Sequence, residues 1–104
     1  MRTGPRVTAD LDSIVAAARN GTDLLISVHY LKERLGNRNR PGLAEVAFGL
    51  TDDAPRISRD EAGTGSDDRG SVCDISCETP HGRPMTVRVN YEKKPMILVT
   101  AFYS

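Results

Sequence analysis

The sequence predicts an α+β domain, with two or three N-terminal helices packed on a curved antiparallel sheet of three to four strands. Three observations carry this prediction. Apolar residues at helical spacing fill the first half of the chain, and period-two alternation fills the second. The two most β-rich runs, Met85–Tyr91 and Met96–Tyr103, flank a charged turn, Glu92-Lys93-Lys94-Pro95, as the arms of a hairpin would. Helices first and strands after them indicate separate layers rather than alternating βαβ units.

Residues 1–6, with Gly4 and Pro5, read as a frayed start. Thr8 is a suitable N-cap for a helix over 9–19, with Asp10 and Asp12 in the first turn, where the helix dipole favours acids. Val7, Leu11, Ile14, Val15 and Ala18 share a face, and Asn20-Gly21 forms the C-terminal stop. Leu24 to Val28 is a short apolar run that fits either a brief strand or the entry to the next helix. His29 to Leu35 reads as a short second helix, stopped by Gly36-Asn37. Pro41 suits the first turn of a third helix over 42–49.

Pro55 closes that element, and Arg56-Ile57-Ser58 is a candidate edge strand. Residues 60–70, rich in Gly and acids, read as a mobile loop. Ser71 to Glu78 alternates, with Cys73, Ile75 and Cys77 on the inner side. Pro80-His81-Gly82 turns into the hairpin. Its first arm places Met85, Val87, Val89 and Tyr91 inward. Its second arm is apolar on both faces except at Thr100, the pattern of a central strand.

At 104 residues, with 38% hydrophobic and 27% charged side chains, residues 1–104 read as a single domain. Folding a chain of this size buries roughly 65% of its surface. No apolar run is long enough to span a bilayer, and residues 1–10 lack the apolar centre of a signal peptide. The chain therefore reads as cytoplasmic, with no membrane or DNA partner expected. Its formal net charge of zero argues against binding nucleic acid through bulk charge. The charge is nonetheless segregated. Residues 29–41 and 82–104 are basic, whereas 51–68 hold six acids against two arginines.

Cys73 and Cys77 tempt a disulfide or metal reading. On a strand their four-residue spacing is about 13 Å, beyond the ~6.8 Å limit for a disulfide. They read as core thiols. A zinc site would need further ligands, and His29 and His81 are the only histidines. Neither a metal nor another cofactor is expected.

His29 opens a basic helix, with Lys32, Arg34 and Arg38 following. A histidine with nearby arginines can cleave RNA without a metal. One group takes the 2′-hydroxyl proton, another protonates the leaving 5′-oxygen, and cations stabilise the phosphorane. The candidate catalytic set is His29 as acid or base, with Arg34 and Arg83 stabilising phosphate charge. The candidate substrate-binding set is Lys32 and Arg38 on the RNA backbone, Arg88, and Thr100 with Tyr103 at the end of the last strand. For Arg88, plain solvation of an outward-facing side chain is the alternative.

Residues 69–104 carry a recognisable combination of segments. Arg69-Gly70-Ser71-Val72-Cys73 comes first, then Gly82-Arg83-Pro84-Met85, then Ile97-Leu98-Val99-Thr100-Ala101-Phe102-Tyr103. Upstream stands Ile26-Ser27-Val28-His29-Tyr30. Together they resemble a bacterial and archaeal family of small domains grouped with the MqsR, BrnT and RelE-like toxins. The resemblance implies a RelE/barnase-like architecture and a metal-independent endoribonuclease toxin, neutralised by an antitoxin protein. Two departures stand out. Thr86 occupies a position where the family pattern commonly has histidine. Glu33 replaces an arginine, with Arg34 one step, about 100°, further round the helix. A non-catalytic protein- or RNA-binding module on the same scaffold is the alternative.

Overall fold

The computed structural model describes residues 9–21, 23–36, 39–52, 54–60, 71–92 and 94–104. It is an α+β fold with three helices and five strands. In chain order these are α1 (Leu11–Asn20), β1 (Leu24–Ile26), α2 (Val28–Gly36), α3 (Leu43–Thr51), β2 (Arg56–Asp60), β3 (Val72–Glu78), β4 (Pro84–Asn90) and β5 (Met96–Tyr103). They form one sheet in the order β1-β5-β4-β3-β2. The β1–β5 pair is parallel and the other three pairs are antiparallel.

The alternation read along the second half of the chain builds the core. Cys73, Ile75 and Cys77 of β3 line up with Val89, Val87 and Met85 of β4, and all six are buried. They pack with Ile14 and Ala17 of α1, Val46 and Leu50 of α3, Tyr30, and Leu98 and Ala101 of β5. Both cysteines are free thiols in this core. Gly49 lets α3 close onto the sheet. A Cβ at that position would collide with Met85 Cε and Cys77 Sγ.

β5 is central, as its apolar character predicts, but its alternation is not continuous. Arg88 pairs with Thr100 and Val89 with Leu98, so Val99 is an extra residue. This bulge changes which residues face the core. Before it, Met96 and Leu98 point inward. After it, Ala101 and Tyr103 do, opposite Val87 and Met85.

The sheet differs from the expected three to four antiparallel strands. It has five, one of them parallel, so this is not the three-to-four-strand RelE-like arrangement. The additional strand is the Leu24–Ile26 run. It docks beside the first part of β5, where Met96 N–H donates to Asp23 O and Ser27 N–H to Leu98 O. The candidate edge strand at Arg56 is present and extends to Asp60, with a register shift between Ile57 and Arg59.

The helix limits also move. Asp10 stands at the N-cap of α1, and Gly21, at φ 82°, closes it. α3 starts at Leu43 rather than in a first turn containing Pro41, because Gly42 is its N-cap. Thr8, the frayed start at 1–6, Arg38 and the loop at 61–70 lie outside the described residues.

Candidate functional site

β1 covers β5 only as far as Leu98. Beyond that point the edge of β5 would expose unpaired backbone groups, which folded proteins cap or cover. Here α2 and the segment after it provide the cover. Ser27 Oγ donates to Val99 O (2.8 Å) and accepts the Tyr30 N–H (3.0 Å). One hydroxyl therefore satisfies the strand edge and caps the start of α2. Arg40 donates to Ala101 O at 3.2 Å. Tyr30 is buried against this edge and donates its phenol to Pro41 O (2.9 Å). Burial pushes its pKa up, against a smaller opposing effect of Arg34.

Two carboxylates organise the polar groups here. Glu33 is the first. Its Oε1 receives Thr100 Oγ1 (2.5 Å) and lies 3.3 Å from His29 Nε2, one helical turn back. Its Oε2 receives Arg40 Nη2 at 3.0 Å. The His29 side chain remains 59% exposed, so its ring is open to a ligand.

Glu45, in the first turn of α3, is the second. Its Oε1 accepts the Gly42 N–H (3.1 Å) and the Tyr103 phenol (2.6 Å). The Arg83 guanidinium stacks over the Tyr103 ring, 3.6 Å from its centroid. Arg34 lies along Gly42, with room for a Cβ there at 3.5 Å from its Nε and Nη2. Arg34 Nε is buried and has no hydrogen-bond partner among the described residues.

The hydrogen bond from Tyr103 holds the Glu45 carboxyl below its usual pKa. The Gly42 amide and the charges of Arg34 and Arg83 add to this, against the opposing effect of burial. The same hydrogen bond raises the Tyr103 phenol. Glu45 is thus an ionised carboxylate at neutral pH, facing a neutral phenol and two cations.

Local turn chemistry sets Arg83 in place. Thr79 is buried, and its hydroxyl accepts the N–H groups of both His81 and Arg83. The Thr79 N–H donates back to Arg83 O (3.0 Å), and Gly82 takes the left-handed φ of 81° that this tight turn requires.

Of the residues singled out in the sequence, Arg34, Arg83 and Tyr103 meet around Glu45. His29 and Thr100 meet around Glu33 instead. Lys32 lies on the exposed side of α2. Arg88 is held across the strands by Asp74 in a two-point contact of 2.8 and 3.2 Å. Thr86 bonds Ser104 (3.1 Å), and His81 lies exposed in the β3–β4 turn.

Sequence reasoning missed Glu33, Glu45 and Arg40. Two of them carried a signal. Glu33 stands four residues after His29, the spacing of a helical ion pair. Glu45 stands three after Gly42, where the acid of a capping box reaches back. Nothing in the sequence marks Arg40.

Among the described residues no group of three or more His, Cys, Asp or Glu is placed to hold a metal ion. No helix among them is long and apolar enough to cross a membrane. No family model matches the chain, and no curated protein or solved structure matches it.

Proposed function

We propose that this chain is a metal-independent endoribonuclease of the RelE/MqsR-like toxin kind, acting on RNA in the cytoplasm and held in check by an antitoxin protein. The observation that carries the reading is the convergence of Arg34 and Arg83 on the Glu45–Tyr103 pair at the end of β5. Such a set contains what RNA transesterification needs: a base, an acid and two cations.

In this reading Glu45 accepts the proton of a 2′-hydroxyl. The freed oxygen attacks the adjacent phosphorus, and Arg34 and Arg83 stabilise the charge on the phosphorane oxygens. The 5′-oxygen leaves with the phenol proton of Tyr103, giving a 2′,3′-cyclic phosphate and a 5′-hydroxyl. The Tyr103–Glu45 hydrogen bond then returns the proton from carboxyl to phenolate and restores the resting state. His29, exposed beside Glu33, contacts the RNA on the neighbouring face, with Lys32 beyond it. The step needs a 2′-hydroxyl, so the substrate is RNA.

A non-catalytic RNA- or protein-binding module is the second reading. It is favoured by the structural use of Glu45, whose two hydrogen bonds cap α3 and tie it to β5. One experiment separates the two. Purified chain is incubated with single-stranded RNA in EDTA, and products are analysed for cyclic phosphate ends. Cleavage by the wild type that is lost in Glu45→Gln supports the endoribonuclease. Binding without cleavage supports the module. Expression in a bacterial host, wild type against Glu45→Gln and His29→Ala, tests the toxin role. A wild type that is harmless and leaves cellular RNA intact would sink it.

A further inference from the structure

A different surface carries an inference independent of RNA. β1 is an edge strand that pairs, among the described residues, with β5 alone. The bonds from Met96 N–H to Asp23 O and from Ser27 N–H to Leu98 O fix the direction of its backbone groups. The Asp23 C=O, both backbone groups of Leu25 and the Ser27 N–H turn toward β5, while the Ser27 C=O accepts the Leu31 N–H and starts α2. Leu24 and Ile26 therefore turn their backbone groups outward, where a further strand can take them.

The apolar side chains around this edge are also open. Leu25 is 49% exposed and Ile26 36%, and the chain runs straight into Val28, Leu31 and Leu35 on one face of α2, at 66%, 45% and 85%. Behind the strand lies an apolar groove of about 190 Å³, lined by Leu24, Ile26, Leu43, Val46, Leu50 and Leu98 among others. Leu43, at its mouth, is 49% exposed.

We propose that this edge pairs with the same edge of a second copy, as an antiparallel β1–β1 contact about a two-fold axis at Leu25. The backbone directions fit this register. Leu24 of one copy and Ile26 of the other both face outward, so they form hydrogen-bonded pairs on either side of the axis. Leu25 meets its own counterpart in the closer, non-hydrogen-bonded position. A two-fold contact must be self-complementary, and this register is.

The charges also fit. α2 has no acid in its first turn, although an acid there stabilises a helix N-terminus. In the proposed register Asp23 of one copy lies opposite Ser27 of the other, at the start of the other's α2. It sets a negative charge at that helix N-terminus, whose own first turn has none. Covering the exposed leucines, Ile26 and Val28 of two copies removes on the order of 1,000 Å² of surface from water, the lower end for a specific interface. The contact leaves Arg83 and Tyr103, at the far end of β5, uncovered.

The test is sedimentation of the full chain at about 100 µM, where a complex of micromolar Kd is formed. A dimer is expected. Leu25→Glu sets like charges directly opposite each other and raises the dissociation constant about tenfold or more, with an unchanged circular dichroism spectrum. Register is read from Leu25→Cys. The non-hydrogen-bonded pair places the two Cα atoms ~4.5 Å apart, within disulfide reach, so mild oxidation gives a covalent dimer. Arg56→Cys on the opposite edge gives none. The native Cys73 and Cys77 are buried and do not compete. A wild type that stays monomeric at that concentration overturns the proposal, whether or not a foreign strand is later found on β1. A cross-link at Arg56→Cys in place of Leu25→Cys overturns it too. None of these measurements depends on RNA cleavage.

Discussion

Glu33 and Glu45 look alike at first sight. Each takes a hydroxyl from the end of β5, Thr100 in one case and Tyr103 in the other, and each has cations from neighbouring segments around it. Their cations differ in what else they do. Arg40 bonds Glu33 directly and also bonds the backbone of Ala101, so that pair is a clasp on the strand edge. Arg34 and Arg83 act on Glu45 through their charge. Arg83 stacks on Tyr103, and Arg34 Nε lacks a partner among the described residues. A cation already bonded on both sides holds structure, whereas an exposed one beside a carboxylate, as Arg83 is, can receive a phosphate oxygen.

Neutralising each acid in turn separates the two. Glu45→Gln should lower the kcat/KM for RNA cleavage by about 100-fold or more, the usual loss when a general base is removed. Glu33→Gln should leave cleavage within a few-fold of wild type. Equal losses in a cleavage assay would erase the distinction. Next in size, Arg34→Ala and Arg83→Ala should each lose about 10- to 100-fold in kcat. Arg83→Lys should recover little, because an ammonium does not reproduce a planar guanidinium stacked on Tyr103.

The opposite signature belongs to Glu33. Glu33→Ala leaves the partly buried Arg40 without its carboxylate and should cost about 1–3 kcal/mol of unfolding free energy in urea. Thr100→Val, which removes one hydroxyl donor to that carboxylate, should cost about 1–2 kcal/mol.

The smallest effect is a pH dependence. The Glu45 carboxyl is lowered from 4.5 in the folded chain, so its contribution is complete above that value and is lost as pH falls through the lower folded pKa. Tyr103 is raised from 10.0, so its contribution is complete below 10.0 and is lost as pH rises through the higher folded pKa. Tyr103→Phe should therefore lie below wild type in stability at neutral pH. The gap should narrow below pH 4.5 and again above pH 10.0. A gap constant with pH in urea titrations would show that the Tyr103–Glu45 bond contributes nothing.

Much of the sheet could be read from the chain because its signals are local. The alternation of Cys73, Ile75 and Cys77, and of Met85, Val87 and Val89, states which face is buried without reference to any partner. β1 could not be assigned this way. Three apolar residues suit a strand or a helix entry equally, and what decides is β5, some seventy positions away. The site was legible only in part for a related reason. Arg34, Arg83 and Tyr103 are conspicuous residue types, but the acids that sort them from His29 and Thr100 look like ordinary helix surface until the helices are docked. The Val99 bulge left no trace, since every residue of Met-Ile-Leu-Val is apolar and either phase of alternation fits.

That bulge makes the end of β5 sensitive to counting. Val99 shifts the phase of the strand by one, so Tyr103 turns toward α3 while Thr100 shares the side of Arg88. Remove that single residue and every side chain after it changes sides at once. Tyr103 would leave Glu45 and Arg83 in the same step that separates Thr100 from Glu33. The clasp and the candidate reaction centre are therefore indexed to one position. Chain-length changes in this strand would act on both together, whereas substitutions within it can reach either alone.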